Sequence, residues 1–339
     1  MNKVLIISSP FFGYQESVGR AFRDLGYEVR IETYDEPIHP FRGLLKWRHK
    51  FARNKEKLRA KSRAKYNVYI KQVYDHYDPA IVFIYNGAII EDATLDIFRI
   101  KSKVAIWMYD SVHNPRYSRC KTHIDHVDAF FCFEKKDVDY YEQLGKKAYF
   151  LPLACDPYIY YPMDIPKEID ILFVGNIYGN QKRIELLNLL VKRYPEKKIL
   201  IYGPYKPFYK NPVKWMFRTQ RSIFKNINIP PQQVNELFNR SRIALNIHHQ
   251  QTINGANQRV FEACGAGAYQ VCDKNPFIAS VFSHGEVGLY QNEEELIERI
   301  EDALQNDKSQ QAKQGYHLIL ADHTFRKRIE TILNTLESQ

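Results

Sequence analysis

Hydrophobic and polar positions follow two periods along the first half of the chain. Short runs rich in Val, Ile, Phe and Tyr predict buried strands at 4–7, 29–31, 81–85, 104–109 and 129–133. Apolar residues at helical spacing predict helices at 15–25, 42–77 and 135–144. A series of strands and helices of this kind predicts a parallel sheet with helices on both faces.

The same pattern starts again in the second half. Strands are predicted at 171–174, 199–202, 243–247 and 269–272, and helices at 180–193, 231–241, 258–264 and 293–305. The segment 156–166 contains three prolines, which disfavour a helix and suit a linker. We therefore predict two Rossmann-like α/β domains, 1–155 and 167–322, facing each other across a cleft. A helix within 323–339 could cross back to the first domain.

Length and composition restrict the class of protein. The 339 residues and the apolar fraction of 45% suffice for two cores and argue against disorder. No apolar run approaches the roughly 18 residues of a membrane-spanning helix, and 4–7 is too short for the core of a signal peptide. The five cysteines show no paired spacing. We therefore expect a cytoplasmic protein.

The positive charge is concentrated in one segment. Residues 42–65 contain eleven Lys or Arg and a single acid, Glu56, which gives this segment a net charge of +10. The rest of the chain holds equal numbers of bases and acids, so a uniformly basic nucleic-acid-binding protein is disfavoured. Residues 206–226 add six bases without an acid, interleaved with aromatic residues. Both segments suit an anionic membrane surface on the inner face of the cell membrane, and a solvated helix face is the alternative.

A glycine-containing loop follows the predicted strand 171–174. Gly175 and Gly179 would let the backbone approach a ligand closely, and the next helix begins near Lys182 and Arg183. The Gly-Lys-Ser/Thr ending of a Walker loop is missing. The pattern therefore indicates either a phosphate site or a simple turn.

A second polar loop follows the strand 243–247 and leads into a helix. Asn257 can cap this helix, and Arg259 and Glu262 are spaced to share one of its faces. Arg259 suits a diphosphate, and Glu262 suits two vicinal ribose hydroxyls. An Arg–Glu surface pair with a glycine cap at Gly265 explains the same spacing equally well.

The second half resembles a known family. Five segments carry the resemblance in order: 170–178 (DILFVGNIY), 245–248 (LNIH), 254–268 (NGANQRVFEACGAGA), 293–296 (EEEL) and 323–328 (HTFRKR). They are similar to the C-terminal domain of the CgeB-type, spore-maturation-like glycosyltransferases. In the first half only 107–110 (WMYD) and 151–156 (LPLACD) are similar. The resemblance implies a GT-B fold whose C-terminal domain binds a nucleotide-sugar.

The resemblance also implies roles for particular residues. Glu262 corresponds to the ribose-binding Glu of related retaining enzymes, and Arg259, Arg183 and the Gly175 loop correspond to positions that hold the diphosphate. Asn254 stands where those enzymes have their other Glu, so retention of configuration does not follow, and His323-Thr-Phe replaces the usual His-Thr-Tyr. The candidate donor-binding residues are Gly175, Asn176, Tyr178, Arg183, Gly203, Asn246, His248, Asn254, Asn257, Arg259 and Glu262.

Three residues of the first half are candidates for the acceptor side. Asp110 follows the strand 104–109, where a carboxylate could act as the general base for an acceptor hydroxyl or could begin a turn. Gly13 could let a loop approach the donor or could be a turn glycine. His113 lies three residues beyond Asp110.

Two patterns resemble metal sites and are interpreted otherwise. Asp137 and Asp139 match an Asp-x-Asp motif but open a predicted helix in the first domain, where acids favour the helix N-terminus. Cys120, His123 and His126 have helical spacing without a fourth ligand, which favours an exposed polar helix. We expect no metal and no cofactor.

Taken together, these features predict a metal-independent glycosyltransferase that moves a sugar from a UDP-sugar to a cell-envelope, polysaccharide or other glycan acceptor. A nucleotide-sugar 2-epimerase of the same fold is one alternative. A non-catalytic protein that binds polyanions or a membrane surface through 42–65 and 206–226 is the other.

Overall fold

The computed structural model describes residues 2–10, 12–34, 55–204, 223–249 and 252–339. The chain forms two compact units. Unit 1 comprises Met1–Pro152 together with Phe325–Gln339, and unit 2 comprises Leu153–Thr324. The last helix of the chain thus belongs to the first unit.

Unit 1 contains a parallel six-stranded sheet in the order β2-β1-β3-β4-β5-β6. Its strands are β1 (Lys3–Ser8), β2 (Glu28–Thr33), β3 (Ile81–Tyr85), β4 (Lys103–Met108), β5 (Ala129–Cys132) and β6 (Tyr149–Phe150). β1, β3 and β4 are buried along nearly their whole length, as expected for central strands covered on both faces.

The helices of unit 1 complete this core. They are α1 (Tyr14–Asp24), α2 (Lys55–Tyr77), α3 (Asp92–Arg99), α4 (Lys135–Gln143) and α11 (Phe325–Glu337), with 3₁₀ turns at Pro115–Lys121 and His123–His126. α11 packs against α1, and the Phe325 ring lies 6.0 Å from the Trp107 ring on β4. The end of the chain therefore contributes to the first core.

Unit 2 contains a parallel five-stranded sheet in the order β11-β10-β9-β7-β8. Its strands are β7 (Ile169–Val174), β8 (Ile199–Tyr202), β9 (Ser241–Asn246), β10 (Gln270–Asp273) and β11 (Val287–Tyr290). Its helices are α5 (Gln181–Arg193), α6 (Pro231–Asn239), α7 (Gln258–Gly265), α8 (Pro276–Val281), α9 (Glu293–Gln305) and α10 (Ser309–Asp322).

The predicted α/β architecture with a parallel sheet in each half is confirmed. The basic segments 42–65 and 206–226 lie partly outside the described residues, which do not include 42–54 or 206–222. The part from 55 to 65 is helical, and the bases from Lys57 to Lys65 lie at the surface or are half-buried, as for a solvated helix face. Within the described ranges, no helix has both the length and the apolar character needed to cross a membrane.

Candidate functional site

The candidate donor residues gather at one edge of the sheet in unit 2. Strands β7 and β9 lie side by side, but the chain leaves β7 towards β8 and leaves β9 towards β10 on the other side. The sheet therefore reverses its winding between β7 and β9. In open α/β sheets, ligands bind beyond the carboxyl ends of the strands at such a switch point.

The loop after β7 is built for close approach of backbone groups. Asn176 accepts a hydrogen bond from the Tyr178 amide at 3.0 Å, and Asn180 caps α5 by accepting from the Arg183 amide at 3.1 Å. The amino terminus of α5, with its positive dipole end, follows directly. Helix amino termini of this kind can bind a phosphate.

Gly203 permits the contact between this loop and the chain beyond β8. Its φ is +138°, and a Cβ at this position would lie 1.8 Å from the carbonyl oxygen of Gly175. The amide of Gly175 in turn donates to Tyr202 at 2.9 Å. Gly203 is therefore required for local packing, whatever else it contacts.

Arg183 is buried and joins two loops. Its Nε and Nη2 donate to the carbonyl of Ile247 after β9, and its Nη1 donates to the carbonyl of Asn176 after β7. Burial lowers the pKa of Arg183 to about 10, so the guanidinium stays charged at neutral pH. Arg183 thus fixes the switch-point loops, a role that the sequence pattern did not indicate.

Asn246 and Asn257 form a reciprocal pair of amides. The Asn246 Nδ2 donates to Asn257 at 3.0 Å, and the Asn257 Nδ2 donates back at 2.8 Å. Asn257 also caps α7 through the Val260 amide, as predicted, and Asn246 reaches Gln270 on β10. The pair fixes the start of α7 against the end of β9. Asn254 lies half-buried in the loop between them, next to Gly255, whose carbonyl accepts from Asn275.

Arg259 and Glu262 are in contact, as their spacing predicts, but they do not form a surface pair. Glu262 is completely buried, and Arg259 donates to its carboxylate. Arg259 also lies 3.4 Å from the hydroxyl of Tyr160, and burial together with the charge of Glu262 raises the pKa of that phenol. Tyr160, in the predicted linker, is a member of this cluster that sequence reasoning missed.

The expectation of a glycine cap at Gly265 is wrong. Gly265 is the last residue of α7, and a Cβ there would lie 2.3 Å from the Sγ of Cys155. The residue with a left-handed backbone is Gly267, with φ of +73°. Gly265 is thus needed for close packing of α7 on the segment that contains Cys155. Gly267 provides the left-handed residue that ends the helix region.

His248 pairs with Asp273, which sequence reasoning also missed. Its backbone amide donates to Asp273 Oδ1 at 2.9 Å, and its Nδ1 lies 2.6 Å from the same oxygen. Lys182 donates to the other carboxylate oxygen at 2.8 Å. Although burial raises the pKa of Asp273, the hydrogen bond from His248 and the charge of Lys182 outweigh it and hold the pKa well below its usual range.

Among the residues that the structure describes, His248, Cys272 and Asp273 are the group of side chains that could hold a metal ion. Burial raises the pKa of the Cys272 thiol well above its ordinary value, however, and the Nδ1 of His248 already hydrogen-bonds to Asp273. A neutral thiol is a poor metal ligand. The cluster is better explained as a hydrogen-bonded His–Asp pair.

The acceptor-side candidates lie at the carboxyl edge of the sheet in unit 1. Gly13 has φ of +77° and caps α1, and a Cβ there would meet nothing within 4 Å, so it acts as a turn glycine. Asp110 lies half-buried in the loop after β4. His113 follows in the same loop, with its ring 4.9 Å from the ring of Tyr140.

Asp137 holds the loop after β4 through hydrogen bonds. It lies in the first turn of α4, as predicted, but it is fully buried rather than a simple surface acid. Its carboxylate accepts from the Ser111 hydroxyl at 2.7 Å and from the Val112 amide at 3.0 Å. Asp137 thus fixes the segment that follows Asp110, while Asp139 is exposed.

The Cys120, His123 and His126 pattern does not form an exposed polar helix. Cys120 and His123 are buried in 3₁₀ turns, and Cys120 donates to the carbonyl of Asn86. His123 bridges Asp92, at 2.6 Å, and the carbonyl of Gly87, at 3.2 Å. These contacts give His123 a structural role.

Residues 182–334 match a family model described as Glycosyl transferase-like. A search of curated proteins gave no match. Among solved structures, the chain is similar to sucrose-phosphate synthase from Thermosynechococcus elongatus, with 13% identity and a TM-score of 0.70 over 100% of both chains. It is also similar to α,α-trehalose 6-phosphate synthase from Burkholderia multivorans, with 11% identity and a TM-score of 0.65 over 100% of this chain and 97% of that one.

A third similar structure is UDP-GlcNAc 2-epimerase from Neisseria meningitidis bound to UDP-GlcNAc, with 12% identity and a TM-score of 0.60 over 100% of both chains. At these identities the likenesses show the fold alone. They confirm the expected GT-B fold with its two Rossmann-like domains. The family match lies in the C-terminal part of the chain, which contains all the elements from α5 to α10.

Proposed function

We propose that this protein is a glycosyltransferase of the CgeB type that transfers a sugar from a UDP-sugar to a cell-envelope, polysaccharide or other glycan acceptor. The observation that carries the proposal is the switch-point site of unit 2, where Arg183 joins the loops after β7 and β9. The family match over 182–334 includes Arg183 and the loop that it joins after β9.

The diphosphate is assigned to the amino terminus of α5 and the Gly175 loop. Backbone amides, the helix dipole and the nearby cations offer positive potential at this place. Arg183 holds these groups in place through backbone carbonyls. Gly175, Asn176 and Tyr178 belong to this loop. Gly203 allows the loop to lie close to the segment that follows β8.

The nucleoside and the sugar are assigned to the loop before α7 and to α7 itself. Glu262 would accept hydrogen bonds from the ribose hydroxyls, with Arg259 moving from the carboxylate to the diphosphate when the donor binds. Asn254 would hydrogen-bond the sugar. The Asn246–Asn257 pair keeps α7 in register with β9, so that these groups are preorganised.

Cleavage of the bond between sugar and phosphate places negative charge on the diphosphate leaving group. Preorganised amides and cations stabilise this charge as it develops, which is the largest contribution that such a site makes to catalysis. They would supply the neutralisation without a metal ion. On the acceptor side, Asp110 would take the proton of the attacking hydroxyl, with His113 beside it and Gly13 shaping the first loop.

The acceptor arrives through unit 1 in this proposal. The basic segments 42–65 and 206–226 would bring the protein to the anionic inner surface of the cell membrane, where a lipid-linked glycan would be available. Eleven bases against one acid in the first segment support this association.

The proposal is tested by calorimetric titration of the full chain with UDP-glucose, UDP-galactose, UDP-GlcNAc and UDP. The wild type should bind at least one UDP-sugar, and Glu262→Gln and Arg259→Ala should each weaken binding at least tenfold. The matched control is the exposed i,i+4 pair on α11, where Arg326→Ala and Glu330→Gln should leave binding unchanged. Folding of each variant is checked by circular dichroism.

An assay for products formed from UDP-GlcNAc and a vesicle-binding assay give the outcomes that would overturn the proposal. If UDP-GlcNAc is converted to its 2-epimer without any acceptor, the protein is an epimerase. If no nucleotide binds, and the protein instead adheres to anionic vesicles with a steep dependence on salt that Glu262→Gln does not change, it is an attachment protein.

A further inference from the structure

Three buried polar atoms at the carboxyl edge of the sheet in unit 2 have no hydrogen-bond partner among the described residues: the Nδ2 of Asn180, the Nε2 of His248 and the hydroxyl of Tyr290. They lie just after β7, just after β9 and at the end of β11. A buried polar group without a partner costs about 1–3 kcal/mol. All three are at the edge where a ligand of this fold binds, so a bound ligand would compensate for them.

The tautomer of His248 follows from its partner. Asp273 is held ionised, and an ionised carboxylate oxygen can only accept hydrogen bonds. The Nδ1 of His248, 2.6 Å from Asp273 Oδ1, must therefore carry the hydrogen. The backbone amide of His248 donates to the same oxygen, which fixes the ring relative to the chain. The hydrogen on Nδ1 leaves Nε2 as an acceptor when the ring is neutral.

Charged and titratable groups on α5, β10 and β11 lie around His248. On α5, Lys182 donates to Asp273, and Arg183 donates to the carbonyl of Ile247. Burial and the charge of Arg183 lower the pKa of the neighbouring His249. On β10 and β11, Cys272 and Tyr290 are buried, and their pKa values are raised well above the ordinary range, so both stay neutral. Asp273, the negative group among these residues, is paired with Lys182.

We propose that Asp273 is a positioning residue that holds the hydrogen of His248 on Nδ1, and that His248 Nε2 accepts a hydrogen bond from a hydroxyl of the sugar of the nucleotide-sugar. A phosphate oxygen has no hydrogen to donate to this atom, whereas every sugar carries several hydroxyls. The ribose hydroxyls are assigned to Glu262, so the hydroxyl that donates to His248 belongs to the transferred sugar. This inference rests on the proposed function, because it needs a nucleotide-sugar at the switch point.

The test compares UDP with the tightest binding of UDP-glucose, UDP-galactose and UDP-GlcNAc by calorimetry. His248→Asn keeps a group that can reach Asp273 but removes Nε2, and it should weaken UDP-sugar binding roughly tenfold while UDP binding stays within about twofold. His248→Gln places an amide near the position of Nε2 and should recover part of the loss. His249→Asn, one residue along the same loop, is the matched control and should change neither affinity.

A spectroscopic measurement covers the case in which the variants misfold. In protein labelled with ¹⁵N-histidine, the ring nitrogens of His248 should show a protonated Nδ1 and an unprotonated Nε2, and the Nε2 signal should move when the UDP-sugar is added but not when UDP is added. Asp273→Ala removes the acceptor of both hydrogen bonds, so the hydrogen should be shared between Nδ1 and Nε2. Retention of the Nδ1–H form in Asp273→Ala would contradict the positioning role.

The two proposals fail in different ways. If His248→Asn weakens UDP and UDP-sugar equally, or if the Nε2 signal is unmoved by the sugar, the role of His248 is wrong and the donor site stands. If neither UDP nor any of the three UDP-sugars binds to the wild type, both proposals are overturned.

Discussion

Arg183 donates two hydrogen bonds to the carbonyl of Ile247, at 2.8 Å from Nε and 2.5 Å from Nη2. A third bond, from Nη1, reaches the carbonyl of Asn176 at 2.6 Å. One buried guanidinium therefore sets the distance between the loop after β7 and the loop after β9. The planar fork of Arg suits this task, because several N–H groups diverge from one rigid centre.

Arg183→Lys should disrupt both loops. A lysine keeps the charge but cannot replace the planar fork of three donors, so at least one carbonyl loses its partner. Because hydrogen bonds from a charged donor are worth about 1.5–3 kcal/mol each, we expect a similar loss in the free energy of unfolding and a loss of UDP-sugar affinity. Urea denaturation and calorimetry measure the two effects.

Arg193→Lys is the matched control on the same helix. Arg193 lies in the last turn of α5 and forms an exposed ion pair with Glu301 at 2.9 Å. Exposed pairs of this kind contribute about 0–1 kcal/mol. An equal effect of the two substitutions would mean that α5 tolerates no change in its arginines and that the bridge has no special role.

Gly203→Ala should be strongly destabilising. The new methyl carbon would lie 1.8 Å from the carbonyl oxygen of Gly175, and the backbone at this position has a positive φ. Gly145→Ala isolates the second effect, because φ is +70° there but nothing lies within 4 Å of the added carbon. The control should lose about 1–2 kcal/mol, and Gly203→Ala clearly more. Denaturation curves that coincide would refute the steric argument.

The sequence was sufficient to predict the central strands and a parallel sheet in each half of the chain. Residues 4–7, 81–85 and 171–174 are continuous apolar runs, and such runs identify buried parallel strands. The sequence did not reveal β11 or α8, because the first is four residues long and contains Gly288, and the second has six residues. Neither element has enough apolar positions for a strand or helix period to be recognised.

The candidate site was predicted less completely, for a different reason. Asn257 and Arg259 stand in a local pattern with a recognisable cap and spacing. Asp273 contacts His248 across 25 positions, and Tyr160 contacts Arg259 across 99. Contacts between residues so far apart in sequence depend on how the elements pack, and a single sequence carries no periodic signal for them.

The stability of unit 1 should depend on pH between about 4 and 2. The hydrogen bond from buried His123, with help from Thr122, lowers the pKa of Asp92 to about 2. The ordinary value for Asp is about 3.9. Because the folded-state pKa is the lower of the two, the contribution of Asp92 is complete above pH 4 and is lost as the pH falls towards 2.

Urea midpoints measured between pH 5 and pH 2 should show this loss in the wild type, and Asp92→Asn should flatten that part of the curve. Asp96→Asn is the matched control on α3, because its partner His126 is partly exposed and the pair lies at the surface. If Asp96→Asn flattens the curve as much as Asp92→Asn, the buried His123 contact does not cause the dependence.

Ser111→Ala and Asp137→Ala should separate two supports of the acceptor-side loop. The first removes one hydrogen bond to a buried carboxylate and should cost about 1 kcal/mol. The second also leaves the Val112 amide without its acceptor and should cost roughly 1–3 kcal/mol more. If thermal unfolding gives the same loss for both, the Val112 contact contributes little.

Asp110→Asn should abolish sugar transfer while UDP-sugar affinity stays within about twofold, because the amide keeps the shape of the side chain but cannot accept the proton of an attacking hydroxyl. Asp139→Asn is the control, since Asp139 is exposed on α4 of the same unit. Turnover is measured with the tightest-binding UDP-sugar and a mixture of cell-envelope glycans as acceptors. Unchanged turnover in Asp110→Asn would exclude it as the base. A parallel fall in donor affinity would mean that Asp110 shapes the donor site, because a general base acts on the acceptor alone.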